Sequence, residues 1–553
     1  MRKYHAVFLA TVILSSGCQP DNADRQNAVR TYNNPLYCAD YPDPDVIGVG
    51  EDFYMVISSF TYSPGLPIYQ SHDLVHWRQI ANIVDRRKEK FFDVPQHGNG
   101  IWAPSIRYHD GSFHVFFGDP DFGIYMTKAK DPAGPWEPPA LVAEGTGMID
   151  PCPFWDDDGK AYLVHAWAKS RAGFNSILTM HRMSSEGDRL LDEGTRIFDG
   201  TDTQPTIEGP KMYKRNGYYY IFAPAGGVRS GWQTVLRSKH VFGPYDAKIV
   251  MHQGASDING PHQGAWVELE SGEHWFIHFQ DRMAYGRVLH LNPMKWLDDG
   301  WPIIGVDYDG DGIGEPVRRF RYPACDSKLS RGGLDTGNKI ISPQTSDEFD
   351  SPQPSLQWRW QANYREEWFS LVESPGCLRL KSLPVEDINL WKVPQVITQK
   401  FPAEEFEVVT KVNVNNLQDG DMTGIVATGR DYATLQIRQV NGRRSIAYVI
   451  HKDADKGTEG NTIKELALTS DTVYLEMQVT KGARCAFGFG TNGEDYVLMG
   501  SDFEAKESRW VGASIGLYCF SQRSRDASGA LQTRRNGYAD FEWFRVAYAE
   551  SNI

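Results

Sequence analysis

From about residue 30 to 320 the chain alternates short apolar or aromatic runs with polar turns, and the 3.6-residue period of an amphipathic helix is hard to find there. One unit recurs: a Pro-containing turn, an apolar strand, a polar turn with Asp, Asn or Gly, then a strongly aromatic strand. It reads DPDVIGVGEDFYMVISSF from Asp43, APSIRYHDGSFHVFFG from Ala103 and DPCPFWDDDGKAYLVHAW from Asp150. It returns as EGPKMYKRNGYYYIFAPAG from Glu208 and QGAWVELESGEHWFIHFQ from Gln263. Pro44, Pro104, Pro151 and Pro210 lie 60, 47 and 59 residues apart, and the fifth copy lacks its proline. Several copies continue into an outer-strand signature, such as SHDLVHW (71–77), TKAKDPAGPW (127–136) and RSKHVFGPY (237–245). Hairpins repeated in this way predict four-stranded propeller blades, five of them over residues 30–320. The inner strand of a blade starts at the central channel, so the residues opening the copies point at one axial pocket.

Residues 321–346 are rich in Gly, Pro and Ser and read as a linker. From Asp347 short alternating strands resume, among them EVVTKVNV (407–414), ATLQIRQV (433–440), VYLEMQVT (473–480) and FEWFRVAY (541–548). Strands at this density over 347–553 predict a β-sandwich. The whole is an all-β chain of two unequal domains.

The other end carries an address. In MRKYHAVFLATVILSSGC, Arg2 and Lys3 precede an apolar stretch from Ala6 to Leu14, and small residues lead to Cys18. Residues 1–18 therefore read as a bacterial secretion signal and are excluded from the fold. Gly17-Cys18 resembles a lipoprotein cleavage site, although the usual Leu three places before the Cys is displaced to Leu14. The expectation is a lipid on Cys18, a tether over 19–29, and a periplasmic or outer-membrane location.

Composition narrows the partners. The 57 basic and 71 acidic residues give a net charge of −14, which argues against a nucleic-acid surface. No internal apolar run reaches the roughly 18 residues of a membrane helix, so membrane contact is expected only through the lipid. The six cysteines beyond Cys18 have no zinc-site spacing and read as buried small side chains, though an exported chain could oxidise a pair.

Three acids open copies of the repeat: Asp43, Asp150 and Glu208. Alone, each is an ordinary turn starter or ion-pair partner. Together in one pocket they repel one another, which raises some of their pKa values, and carboxyls of unequal acidity are what glycoside hydrolysis requires. The segments YPDPDVI, GIWAPSIRYHDGSF, MIDPCPFWDDDGKAYLVH and TIEGPKMYKRNGYYYIFAPAGG resemble the blade motifs of glycoside hydrolase family 43, and SDEFDSPQPSLQWRWQ with YADFEWFRV resembles its β-xylosidase-type C-terminal domain.

The resemblance implies a five-bladed β-propeller followed by a concanavalin A-like β-sandwich. It implies an inverting, exo-acting glycosidase that releases a terminal pentose, β-D-xylose or α-L-arabinofuranose, from plant cell-wall glycans or their oligosaccharides. Asp43 then matches the general base, Glu208 the general acid, and Asp150 the residue that orients Glu208 and raises its pKa. Phe60 and Trp102 match sugar-pocket walls, Arg287 matches an arginine reaching sugar and acids, and Trp232 is a candidate for the entrance. SSFTYSPG around Phe60 departs from the usual TFEWFPG. No cofactor is implied for the chemistry. His262 stands where many relatives keep a histidine beside an axial calcium; the competing expectation is a histidine bonded to a catalytic acid.

Asp307, Asp309 and Asp311 begin like an EF-hand loop, but Arg318 stands where the bidentate Glu belongs, favouring a plain surface loop. Gly488, Gly490 and Gly493 spell GxGxxG between strands, so no dinucleotide site is expected. Arg523–Arg535 is a basic stretch that either narrows the pocket or is simply solvated. The NDPN and EC motifs of fructan-cleaving propellers are absent. The non-enzyme rival is a glycan-binding surface lipoprotein of the same fold, which predicts decay of at least one of the three acids. None has decayed.

Overall fold

The computed structural model describes residues 30–325, 344–522 and 537–548. Residues 1–29 with Cys18, most of the expected linker, and the basic stretch Arg523–Arg535 lie outside them.

Five antiparallel four-stranded sheets follow one another along the chain, each with its strands in sequential order. Their innermost strands are Asp45–Val49, Trp102–His109, Met148–Trp155, Lys211–Arg215 and His262–Glu268. The second strands read as continuous aromatic runs because each blade is covered on both faces by its neighbours. His274–Asp281, for example, is buried except at its two ends. Separate apolar clusters fill the blade boundaries. Val46, Met55 and Trp77 of blade 1 pack with Val267, Trp275 and Leu289 of blade 5, and Tyr220 and Phe222 of blade 4 with Trp266 and Phe276.

The ring is completed by a two-stranded sheet of its own, in which Thr31–Asn33 pairs antiparallel with Arg319–Arg321. Arg321, expected as the first linker residue, thus belongs to this pair. Beside it, Asn34 donates to the carbonyls of Leu291 (2.7 Å) and Val317 (2.8 Å) and accepts from the Leu291 amide (3.0 Å).

The second domain is two stacked sheets, antiparallel except where Leu383–Val385 pairs parallel with Ser514–Gln522. Phe406–Asn413 and Thr472–Thr480 alternate buried and less buried positions along one of them, as half-buried strands must. The hairpin at Gly493 (φ 79°) follows the strand Arg484–Gly490, so the glycine triplet is sheet and turn.

The two domains are tightly docked. Ser63 and Trp360 exchange both backbone hydrogen bonds (3.0 and 2.7 Å), and the Ala513 amide donates to the Ala284 carbonyl (2.7 Å). His97 stacks on Trp391 with ring centroids 3.7 Å apart, and Ala284, Tyr285 and Val288 of blade 5 join the sandwich's own core. Of the six cysteines among the described residues, Cys152, Cys485 and Cys519 are buried as expected, whereas Cys38, Cys325 and Cys377 are only partly so.

Candidate active site

Each blade begins with the same backbone kink. Asp43, Ala103, Asp150, Gly209 and Gln263 all have positive φ, at 55°, 25°, 56°, 58° and 39°. Four of them precede a proline. Non-glycine residues adopt this region at a cost of order 1–3 kcal/mol, and such strain concentrates at functional sites. Asp43 and Asp150 therefore occupy equivalent positions in blades 1 and 3. Glu208 does not, since Gly209 takes the kink in blade 4 and the acid sits one residue earlier, level with Trp102 and His262. All three acids open their copies, Asp43 and Asp150 directly before the proline and Glu208 two residues before it. Glu-Gly-Pro spends the strained position on glycine and moves its carboxyl up the channel wall.

The side chains at the kinks tie the blades together around the axis. Asp43 is buried; its Oδ2 accepts from Ser58 Oγ (2.6 Å) and its Oδ1 from the Arg287 guanidinium (2.6 Å). Ser58 Oγ in turn accepts from the Ala103 amide (2.7 Å). Asp150 Oδ2 accepts from the Gly209 amide (2.7 Å) and, more weakly, from Gln263 Nε2 (3.4 Å). Glu208 Oε1 lies 2.8 Å from His262 Nε2. The other ring nitrogen, Nδ1, is buried without a partner, so the proton belongs on Nε2, which donates to the carboxyl.

The three acids differ in environment. The Glu208 side chain is 30% exposed, whereas Asp43 and Asp150 are buried. Burial pushes the Asp150 carboxyl well up, and the charges of Glu208 and Asp43 push it further; the Gly209 amide and the Lys211 ammonium pull it back. Asp150 thus senses both other acids. Further along the axis, Lys211 is fully buried and donates to the Pro104 carbonyl (2.8 Å) and Ser105 Oγ (2.7 Å). Arg107 donates to Asp45 Oδ2 (2.7 Å) and to Cys152 Sγ (2.9 Å). Lys211 thus offsets part of the charge at Asp150, and Arg107 is paired with Asp45.

Phe60 and Trp102 meet edge to face with centroids 6.1 Å apart, and the Arg287 guanidinium lies 6.0 Å from the Phe60 ring. The sandwich completes this wall. Val511 packs with Phe60, Tyr62 and Trp102, and Trp510, 45% exposed, meets the edge of Trp102 at 6.1 Å. A cavity of about 160 Å³ runs from Arg287 along Arg229 and Asp281 to Arg430, Glu507 and Trp510. Trp232 is placed differently: its indole N–H donates to Gln204 Oε1 (2.8 Å) and its ring packs on the core between blades 3 and 4. Sequence reasoning missed Ser58, Trp510 and Val511. Ser58 lies two residues before Phe60 in ISSF, where a signal was available; Trp510 and Val511 sit in a loop of the other domain, where none was.

His262 offers a single nitrogen, not the oxygen-rich shell that calcium takes, so the residues here do not fit a calcium ion. The acidic cluster among the described residues whose ligand atoms lie within 4.8 Å of one another is Asp307, Asp309 and Asp311. Their carboxylates accept amides of their own loop, at Gly310, Asp311, Gly312 and Ile313.

A propeller whose axis gathers one accessible and two buried carboxyls beside an aromatic wall is a glycoside-cleaving enzyme in design. Residues 32–302 match the family model described as glycosyl hydrolases family 43, and residues 346–547 match the β-xylosidase C-terminal concanavalin A-like domain. The chain belongs to glycosyl hydrolase family 43. A protein of Xylanibacter ruminicola is 39% identical over 509 residues, covering 90% of this chain and 88% of its own. A non-reducing end α-L-arabinofuranosidase of Bacteroides ovatus is 29% identical, covering 94% of this chain and 95% of its own. The crystal structure of a xylan β-1,4-xylosidase from Bacillus halodurans superposes with a TM-score of 0.78 at 26% identity, covering 93% of this chain and all of that one.

Proposed function

We propose that this protein is an exo-acting, inverting glycosidase that removes terminal β-D-xylose or α-L-arabinofuranose from plant cell-wall glycans or their oligosaccharides. The observation that carries the reading is the inequality of the three acids. Asp43, with a guanidinium and a hydroxyl donating to it, is built to be an ionised base. It takes a proton from a water whose oxygen attacks the anomeric carbon. Glu208, accessible and anchored through one oxygen to His262, keeps its other oxygen for the proton that passes to the leaving oxygen as the glycosidic bond breaks. Asp150, buried where it feels the charges of both other acids, is assigned to orient Glu208 and tune its acidity. We assign His262 to Glu208 rather than to a metal, and the chemistry needs no cofactor. Relatives of both sugar specificities support the pentose class.

The test is turnover of aryl β-D-xylopyranoside and aryl α-L-arabinofuranoside beside Glu208→Ala, with the anomer released followed by proton NMR. Inverted product and a roughly 10²–10⁴-fold loss in the variant are expected. No turnover of either by the wild type, with sugar binding retained, supports the binding-lipoprotein rival; retained configuration overturns the roles of the acids. Export with a lipid on Cys18 belongs to the same reading. Cys18→Ala should move the protein from the detergent phase to the aqueous phase on partitioning, and a protein already aqueous as wild type counts against the anchor.

A further inference from the structure

Asp40 precedes blade 1 and is almost fully buried at the domain boundary. Its Oδ1 accepts the backbone N–H of Arg287 (2.9 Å), the residue whose guanidinium holds Asp43. Its Oδ2 is buried without a hydrogen bond, and so are Lys400 Nζ and Arg359 Nε, contributed by the sandwich. Arg359 lies 4.0 Å from the Tyr62 ring centroid and donates to Ser514 Oγ (3.3 Å); Lys400 lies 4.7 Å from that of Tyr41. Burial raises the Asp40 carboxyl above its ordinary value, only partly opposed by Lys400, the Arg287 amide and Arg359, and burial likewise pulls the Lys400 ammonium down to about 7. Asp40 is therefore a buried propeller carboxyl faced by basic side chains of the sandwich.

The backbone between these groups has no slack. Gly286 has φ 76°, and a Cβ there would meet Asp40 Oδ1 at 2.2 Å. From the other side, a Cβ on sandwich Gly512 would meet the Gly286 nitrogen at 2.6 Å and the Tyr285 carbonyl carbon at 2.8 Å. The next residue, Ala513, is bonded to Ala284 as described above. The turn that launches Arg287 is thus gripped between Asp40 on one side and Gly512–Ala513 on the other.

From this grip we infer that Asp40 is a positioning residue, through which the sandwich sets the place of Arg287 and hence of the base. The inference rests on the reading of Asp43 as base. The influence runs from the Lys400 and Arg359 charges to Asp40, from Asp40 by its hydrogen bond to the Arg287 amide, and from the Arg287 guanidinium to Asp43. A carboxylate that loses its guanidinium partner binds a proton more readily. Loosening the grip should therefore move the acid limb of kcat/KM to higher pH, which simple loss of stability does not do.

The experiment is the pH profile of kcat/KM for wild type, Arg287→Met, Asp40→Ala, Asp40→Asn and the double variant Asp40→Ala/Arg287→Met, with melting temperature recorded for each. Arg287→Met should raise the acid limb by about 1–3 pH units. Asp40→Ala should raise it by part of that and lower kcat by roughly 10- to 100-fold. Asp40→Asn, which keeps an acceptor for the Arg287 amide, should recover most of the loss. The double variant should shift no further than Arg287→Met, because the two act in series. If Asp40→Ala does not fold, Lys400→Met carries the same expectation from the sandwich side. A limb that moves in Arg287→Met but stays in place in folded Asp40→Ala, or in Lys400→Met, overturns the positioning role alone. A limb unmoved by Arg287→Met counts against Asp43 as the base.

Discussion

At the scale of single residues, the decisive pair is Asp150 and Glu208. Asp150 gains nothing from water, so its influence on Glu208 is electrostatic and does not need contact with substrate. Asp150→Asn keeps an acceptor for the Gly209 amide but removes the ionisable group, and kcat should fall roughly 10²-fold or more with the melting temperature little changed. A kcat within a few-fold of wild type on the same aryl glycoside rules out this role. Asp43 and Asp150 were legible because each stands in an Asp-Pro dipeptide at the head of a repeat. Glu208 was legible as an acid, and Glu-Gly-Pro beside two Asp-Pro pairs already marks its offset; that Gly209 takes the kink shows only in the backbone angles. Asp40 and Lys400 carry no motif and act across blades or domains, whereas Ser58 stands in ISSF but its bond to Asp43 shows only in the fold. His262 was read with two competing roles, and its hydrogen bond to Glu208 favours the non-metal one.

At the scale of elements, the aromatic strands made the blades readable, because a strand buried on both faces must be apolar along its whole length. The longer sandwich strands were readable from alternation. Shorter or less patterned ones escaped: Arg359–Trp360 has two residues, Asn461–Ala467 is an edge strand exposed along nearly its whole length, and Arg484–Gly490 is rich in glycine. The closing pair of strands escaped as well, since three residues at each end of the propeller carry too little pattern. Asn34 anchors that closure with three hydrogen bonds to buried backbone. Asn34→Ala leaves those groups unpaired and should cost about 2–4 kcal/mol of unfolding free energy in urea, with kcat unchanged in the folded fraction. A change below about 0.5 kcal/mol would show that the ring closes without it.

At the scale of the whole molecule, burial holds several histidines neutral. It pulls His97 and His278 down to about 4 and His165 to about 3, and drives His290 well below its ordinary value. In the unfolded chain they titrate near 6.5. Between that value and about 4 the unfolded state binds more protons, so each contribution is present above pH 6.5 and is lost as pH falls through the folded value. Each such histidine should cost up to about 1.4 kcal/mol per pH unit in that window. Urea midpoints at pH 7 and pH 5 check this, and a midpoint unchanged at pH 5 refutes it. The domain count was legible from the break in pattern near residue 321, but the docking was not, because no local periodicity marks which faces meet. The closing strands carry one more consequence, for the chain as it is made. Arg319 and Thr31, joined by a 2.8 Å side-chain bond, are 288 residues apart. A nascent chain emerging N-terminus first must hold its opening strand unpaired until almost the last propeller residue has been synthesised. Until then it presents an incomplete ring with apolar blade faces, the kind of species that aggregates or engages chaperones.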